Sequence, residues 1–136
     1  MEYCKGGSLN DYQDKVKGKL EKFVSGIIRQ LLRALNYLHS LNIVHRDIKI
    51  DNMVFLRPLT RENLATSIPI KIIDFGTAVK MKYPFQRDYP ISGTFKYMAP
   101  EVFKGILTEK SDIWSCAVLM IKLLTGNSPF SGTTQR

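Results

Sequence analysis

Cysteine is scarce: Cys4 and Cys116 are the only two in 136 residues. They lack metal-ligand spacing and are too few for a disulfide framework, which argues against a zinc module or a stapled secreted domain. Cys116 lies in an apolar stretch, where a buried thiol is the ordinary outcome, and a reducing compartment fits best. The opening MEYCKGGSLN has neither the apolar core of a signal peptide nor transit-peptide character. The longest apolar run, 113–124, is interrupted by Ser115 and Lys122 and is too short to span a bilayer. These absences predict a soluble, cytoplasmic protein with no membrane span. Internal repeats and low-complexity segments are also missing. Acidic residues are few, 12 against 20 Lys and Arg, for a net charge of +8. That balance favours acidic partners such as phosphates, nucleic acid or an anionic surface. The basic residues are scattered, however, with Lys15, Lys17, Lys19 and Lys22 the only cluster. With no arginine-rich tract and no stacking motif of an RNA-binding sheet, a nucleic-acid partner rests on net charge alone and is not expected.

What is present reads as one globular domain, 44% apolar and 24% charged. Leu20, Phe23, Val24, Ile27, Ile28, Leu31, Leu35 and Leu38 recur at helical spacing, predicting a helix with one buried stripe that stops near 40–42. Ile43 and Val44 lead into HRDIKIDN, which is too polar for a core and reads as a loop. Residues 53–56 and 70–73 are short strand candidates, forming a β-hairpin across a long connection that holds Pro58 and Pro69. Residues 77–100 show no sustained period and carry Pro84, Pro90, Gly93 and Pro100, so an extended, mobile loop is expected. Ser111 is placed to cap a second helix, with Asp112 near its positive end. Apolar side chains from Ile113 to Leu124 cover nearly every face of that helix, which predicts a buried one. Gly126 would close it, with Pro129 just beyond.

Three motifs follow in order: His45-Arg46-Asp47-Ile48-Lys49-Ile50-Asp51-Asn52, then Asp74-Phe75-Gly76, then Ala99-Pro100-Glu101. Either tripeptide alone recurs by chance, and Asp47 and Asp74 alone could be ordinary turn carboxylates. Lys49 and Asn52 at the matching offsets, and all three motifs in this order, are specific. The chain thereby resembles the eukaryotic Ser/Thr protein kinase catalytic domain, over residues 1 to about 130. The fold implied is α+β, mostly α: a truncated kinase large lobe with a small β-hairpin by the catalytic loop. Residues 1–9 would be the hinge and 10–136 the large lobe, with the small lobe and the last C-terminal helices absent.

The resemblance implies ATP and Mg²⁺ as cofactors and protein Ser/Thr hydroxyls as acceptors. Asp47 would orient the acceptor hydroxyl, Lys49 would sit near the transferring phosphate, and Asn52 and Asp74 would bind metal through oxygen. His45 would be structural, packed behind the loop, and Asp112 would brace the loop. Backbone groups of Glu2 and Cys4 would meet the adenine edge, with Ser8 near the ribose. Val54 and Ile73 would line the adenine pocket, or simply pack in the core. Lys49 after Asp47, together with Gly93-Thr94, resembles Ser/Thr rather than tyrosine kinases and puts Thr94 beside Asp47 and Lys49. The run Tyr37-Leu38-His39-Ser40 through Asn52, MEY…GGSL and KSDIWS look like the MAP kinase kinase kinase group. Several features depart from the pattern: Ala117 replaces a usual glycine, and Lys122 stands where an acid is common. The connection 57–69 is long, and Pro90 falls where an activating phosphate is usually carried, with Tyr89 and Ser92 the nearest hydroxyls. The rival is a non-enzyme, a truncated kinase-like module that binds partners or has no independent role. On either reading the chain by itself is expected to be inactive and prone to associate.

Overall fold

Apolar residues that return every three or four positions form helix α1 (Glu21–Ser40), which buries Phe23, Val24, Ile27, Ile28, Leu31 and Leu35 along one stripe. The computed structural model describes residues 4–12, 21–60 and 68–130; Glu2, the 15–19 lysines and Leu20 lie outside them. Leu38 packs against the edge of the same core. Past Ser40 the chain turns through Asn42 at φ 59°, a left-handed conformation that asparagine tolerates better than most residues.

The second helix, α2 (Lys110–Thr125), packs against α1, and Leu31 and Leu35 share a core with Cys116, Val118, Leu119 and Leu123. Each fully buried leucine contributes about 1.5–3 kcal/mol. Gly126, left-handed at φ 76°, closes α2 with its N–H on the Lys122 carbonyl. Two expectations fail at this helix. Ser111 is not the cap: Glu109 holds that position without a side-chain bond, and Ser111 sits inside the first turn, its hydroxyl donating to Glu101 Oε1 at 3.3 Å. The N-terminal donor that a cap would satisfy finds Thr108 instead, with Lys110 N–H on its Oγ1 at 3.1 Å. Nor is α2 buried all round. Ile113, Trp114, Met120, Ile121 and Leu124 are each 37–38% exposed. Only one side of α2 meets α1 and the core. Met120 and Leu124 line an open groove of about 700 Å³ with Val24, Ile28 and Leu32 of α1.

Among the described residues six short strands make three antiparallel pairs. The expected hairpin joins β2 (Met53–Phe55) to β3 (Ile70–Ile72), with Met53 opposite Ile72 and Phe55 opposite Ile70, so Leu56 and Ile73 fall just outside. Gln30 of α1 secures the return into β3, giving Nε2–H to the Ile68 carbonyl and accepting Ile70 N–H, both at 3.0 Å. The remaining pairs were not expected. β1 (Ile43–Val44) pairs β4 (Val79–Lys80), and β5 (Phe85–Gln86) pairs β6 (Leu107–Thr108). With a single-turn helix at Phe95–Tyr97, they give segment 77–100 local structure where the sequence predicted a featureless loop. Near the start, Gly6 lies so close to β2 that a Cβ there would strike the Phe55 and Arg57 carbonyls. Gly6 N–H meets Phe55 O at 3.0 Å, Phe55 N–H meets Gly7 O at 2.9 Å, and Ser8 bridges Val54.

Candidate active site

One buried carboxylate sets the geometry. Asp112, in the first turn of α2, points away from its own helix and accepts the backbone N–H groups of His45 and Arg46, each at 2.9 Å. His39, on the last turn of α1, donates Nε2–H to the same carboxylate at 2.9 Å. The sequence marked Asp112 as a brace but gave no sign of His39, whose place depends on how α1 and α2 pack.

His45 is fully buried, and both ring nitrogens are used: Nε2 donates to Ile73 O at 3.2 Å, and Nδ1 accepts Asp47 N–H at 3.3 Å. No lone pair is left for proton transfer, and the Phe75 ring packs edge-on at 4.9 Å. His45 is therefore structural. Arg46 follows at φ 71°, a strained conformation for a non-glycine residue. It turns the chain so that the Asp47 side chain, itself buried, meets Lys49, Asn52 and Thr94.

Four side chains converge there. Asp47 Oδ1 accepts the Thr94 hydroxyl at 2.7 Å, while Oδ2 meets Lys49 Nζ at 2.8 Å and Asn52 Nδ2 at 3.1 Å. Lys49 Nζ also donates to Thr94 Oγ1 at 3.0 Å, closing a triangle. Burial pushes the Asp47 carboxyl up, but bonds from Lys49 and Thr94, the Lys49 charge and the Asn52 bond outweigh it, leaving it below its ordinary value. Asp47 is thus a held carboxylate and a weak base at neutral pH.

Asn52 Nδ2 also donates to the Asp47 carbonyl at 2.9 Å, so its amide nitrogen is committed and its Oδ1 is left as a donor atom for a ligand. Its backbone carbonyl accepts Ile73 N–H at 3.0 Å, which sets Asp74, the next residue, beside the Asn52 loop. Asp74 is exposed at φ 61°, with Oδ1 accepting Gly76 N–H at 3.2 Å. Two hard oxygen donors on adjoining loops suit Mg²⁺.

The remaining sequence candidates gather less tightly. Glu2 lies outside the described residues, and Cys4 is half-buried. Ser8 accepts Asp11 N–H on Oγ at 3.3 Å, while its own N–H donates to Asp11 Oδ2 at 2.7 Å. Val54 is half-buried in β2 opposite Lys71, and Ile73 is 39% exposed. Lys122 Nζ lies 5.9 Å from the Tyr97 ring centroid. Sequence reasoning also missed Thr77, whose hydroxyl donates to His45 O at 3.0 Å, and Ser115, whose hydroxyl donates to Tyr97 O at 2.7 Å. Nothing in a lone Thr or Ser signals such a bond.

The two packed helices, the hairpin and this loop cluster are those of a kinase-type large lobe. The chain belongs to the protein kinase domain family, whose model matches residues 1–136. Calcium-dependent protein kinase 6 of Plasmodium berghei (strain Anka) is 40% identical over 98% of the chain and 9% of that relative. Calcium-dependent protein kinase 4 of Plasmodium falciparum (isolate 3D7) is 39% identical over 96% of the chain and 24% of its own length. Serine/threonine-protein kinase ULK1 of Homo sapiens is 35% identical over 98% of the chain and 13% of its own length. The chain therefore spans a quarter or less of each of these relatives. The expected likeness to MAP kinase kinase kinases finds no support among them.

Proposed function

We propose that these residues form the catalytic face of an ATP- and Mg²⁺-dependent protein serine/threonine kinase. The observation that carries this reading is the occupancy of the Asp47 carboxylate. A carboxylate offers about four lone-pair sites. Among the described residues, Lys49 and Asn52 fill Oδ2 and Thr94 fills one site on Oδ1, which leaves one acceptor position on Oδ1 beside Thr94. That vacancy suits an incoming Ser or Thr hydroxyl. Because the carboxyl sits below its ordinary value, it orients the hydroxyl by hydrogen bond and takes the proton late, as the phosphoryl group is captured. Lys49, touching both Asp47 and Thr94, offers its charge to the phosphoryl oxygens.

Asn52 Oδ1 and Asp74 would hold Mg²⁺, which when bound neutralises phosphate charge. Glu2 and Cys4 through backbone groups, Ser8 toward the ribose, and Val54 with Ile73 against the base complete the proposed nucleotide site. An apolar side chain left as open as Ile73 is consistent with a flat ligand resting on it.

The test places this chain within the flanking kinase-domain sequence of a matched relative and measures peptide phosphorylation and nucleotide binding. Asp47→Asn should lower transfer by about 10²–10⁴-fold while nucleotide affinity holds within about twofold. Asp74→Asn should instead weaken nucleotide binding only when Mg²⁺ is present. If Asp47→Asn lost binding and transfer in equal measure, its assignment to the hydroxyl would fail.

A further inference from the structure

Arg46 does more than turn the catalytic loop. Its guanidinium reaches into segment 77–94, where Nη2 donates to the Pro90 carbonyl and Nη1 to the Thr77 carbonyl at 3.5 Å. Its Cζ lies 4.8 Å from the Tyr89 ring centroid. Gly93, at φ 115°, passes so near the Arg46 carbonyl that a Cβ there would strike it. Four positions of the segment thus converge on one residue next to Asp47. Among the described residues no carboxylate pairs with this guanidinium, and its Nε is buried without a hydrogen-bond partner. With the buried Asp112 charge acting on it only from beyond ion-pair distance, this partly buried cation gains from the face of an aromatic ring.

Tyr89 is built to supply that face. Its ring packs on the cluster of Val44, Met81 and Leu107, and its N–H donates to the Gly105 carbonyl at 2.9 Å. It is fixed from below by β1 and β6 and covered from above by Arg46. Pro90, next in the chain, has no hydroxyl to modify and contributes only its carbonyl.

We propose that Tyr89 is a positioning residue: its ring holds Arg46, and Arg46 ties segment 77–94 to the catalytic loop without any covalent phosphate on that segment. The tie fixes Gly93 and hence Thr94, which bonds Asp47 at 2.7 Å. This regulation rests on the kinase reading for its activity arm only. It makes the ring, not the hydroxyl, the essential part of Tyr89.

The experiment compares Tyr89→Phe, Tyr89→Leu and Arg46→Lys. Amide hydrogen exchange over residues 85–97 is followed in the chain itself, and kcat, peptide KM and ATP KM in the relative-flanked version, before and after phosphatase treatment. Tyr89→Phe should match wild type in exchange and turnover. Tyr89→Leu should speed exchange in 88–94 by about 5- to 30-fold, the loss of one partly buried cation–π contact, and Arg46→Lys, which gives up the forked bonds to Pro90 and Thr77, should speed it by at least as much. Turnover on peptide should fall with the ATP KM unchanged, and phosphatase should leave the wild type unaltered. Arg46→Lys keeps the Tyr89 packing intact, so it decides the matter if Tyr89→Leu fails to fold. The proposal is overturned if Tyr89→Phe is as damaging as Tyr89→Leu, if exchange in both the leucine and lysine variants stays at wild type, or if phosphatase silences the wild type. Should the wild type transfer no phosphate, the kinase reading falls while the exchange arm still judges the clasp.

Discussion

Replacing Asp112 by alanine removes an acceptor that three donors share: His39 Nε2 and the backbone N–H groups of His45 and Arg46. Asp112 is 1% exposed, so water cannot readily substitute. A buried N–H left without a partner costs about 1–3 kcal/mol, and two of them about 2–6 kcal/mol before His39 is considered. Asparagine keeps one carbonyl oxygen and can satisfy one of the amides, so it should cost about half as much. With a urea slope of about 2 kcal/mol/M for a chain of this size, alanine should lower the unfolding midpoint by about 1–3 M, and asparagine by less. Trp114, the only tryptophan and two residues from the substitution, reports the transition by its fluorescence. Exchange of the His45 and Arg46 amides should rise in the same order. An alanine variant melting within about 0.3 M of wild type would refute the reasoning, because the carboxylate would then be contributing almost nothing to the loop.

Thr94→Ala, in the relative-flanked version, should lower turnover by about 10–100-fold, the worth of one hydrogen bond to a charged group, with Thr94→Ser recovering most of it. The Thr94 bond helps keep the Asp47 carboxyl low, so its loss raises that value and moves the acid limb of the pH–rate profile upward; an unmoved limb would count against the contact. Burial, with a smaller contribution from the Asp112 charge, raises the Cys116 thiol to about 11. At pH 7.5 roughly one molecule in three thousand is then thiolate, so iodoacetamide should label half-buried Cys4 in the native chain and Cys116 only after unfolding. Equal labelling of both by mass spectrometry would contradict the burial.

Both helices were legible because they are long enough to repeat: the stripe from Phe23 to Leu35 passes through more than three turns. The hairpin was legible from two β-rich runs, 53–56 and 70–73, of which the last residue of each falls outside the strands. Two-residue strands carry no period, so Val79–Lys80 and Phe85–Gln86 could not be told from loop; their pairing depends on partners more than 20 positions distant, Ile43–Val44 and Leu107–Thr108. The Ser111 cap failed for a related reason. Thr108 and Ser111 both suit a helix start, and only the course of the chain out of β6 decides between them. Within the site, Asp47, Lys49, Asn52 and Asp74 stood out through their resemblance to the kinase motifs, and Thr94 through the Gly93-Thr94 pair that resembles Ser/Thr kinases. Hidden from the sequence were the groups acting through a neighbour: His39, Thr77, Tyr89 and Ser115. Their side chains are ordinary, and only tertiary packing gives them partners.

Those partners show how little of the fold is needed to set Asp47 against Thr94. Asp112 and Ser115 stand three residues apart on one face of α2. Asp112 holds the backbone at 45–46, one residue before Asp47. Ser115 donates to Tyr97 O, three residues after Thr94, in the turn whose first hydrogen bond runs from Tyr97 N–H to the Thr94 carbonyl at 2.9 Å. Both sides of the site are therefore fastened to a single turn of one helix. That turn is itself seated on α1 through His39 and the core leucines. A displacement of α2 would carry both anchors with it and leave the distance between them nearly unchanged. Loss of either anchor would let one side drift alone. The 2.7 Å bond between Thr94 and Asp47 is thus the sensitive readout of damage at the start of α2.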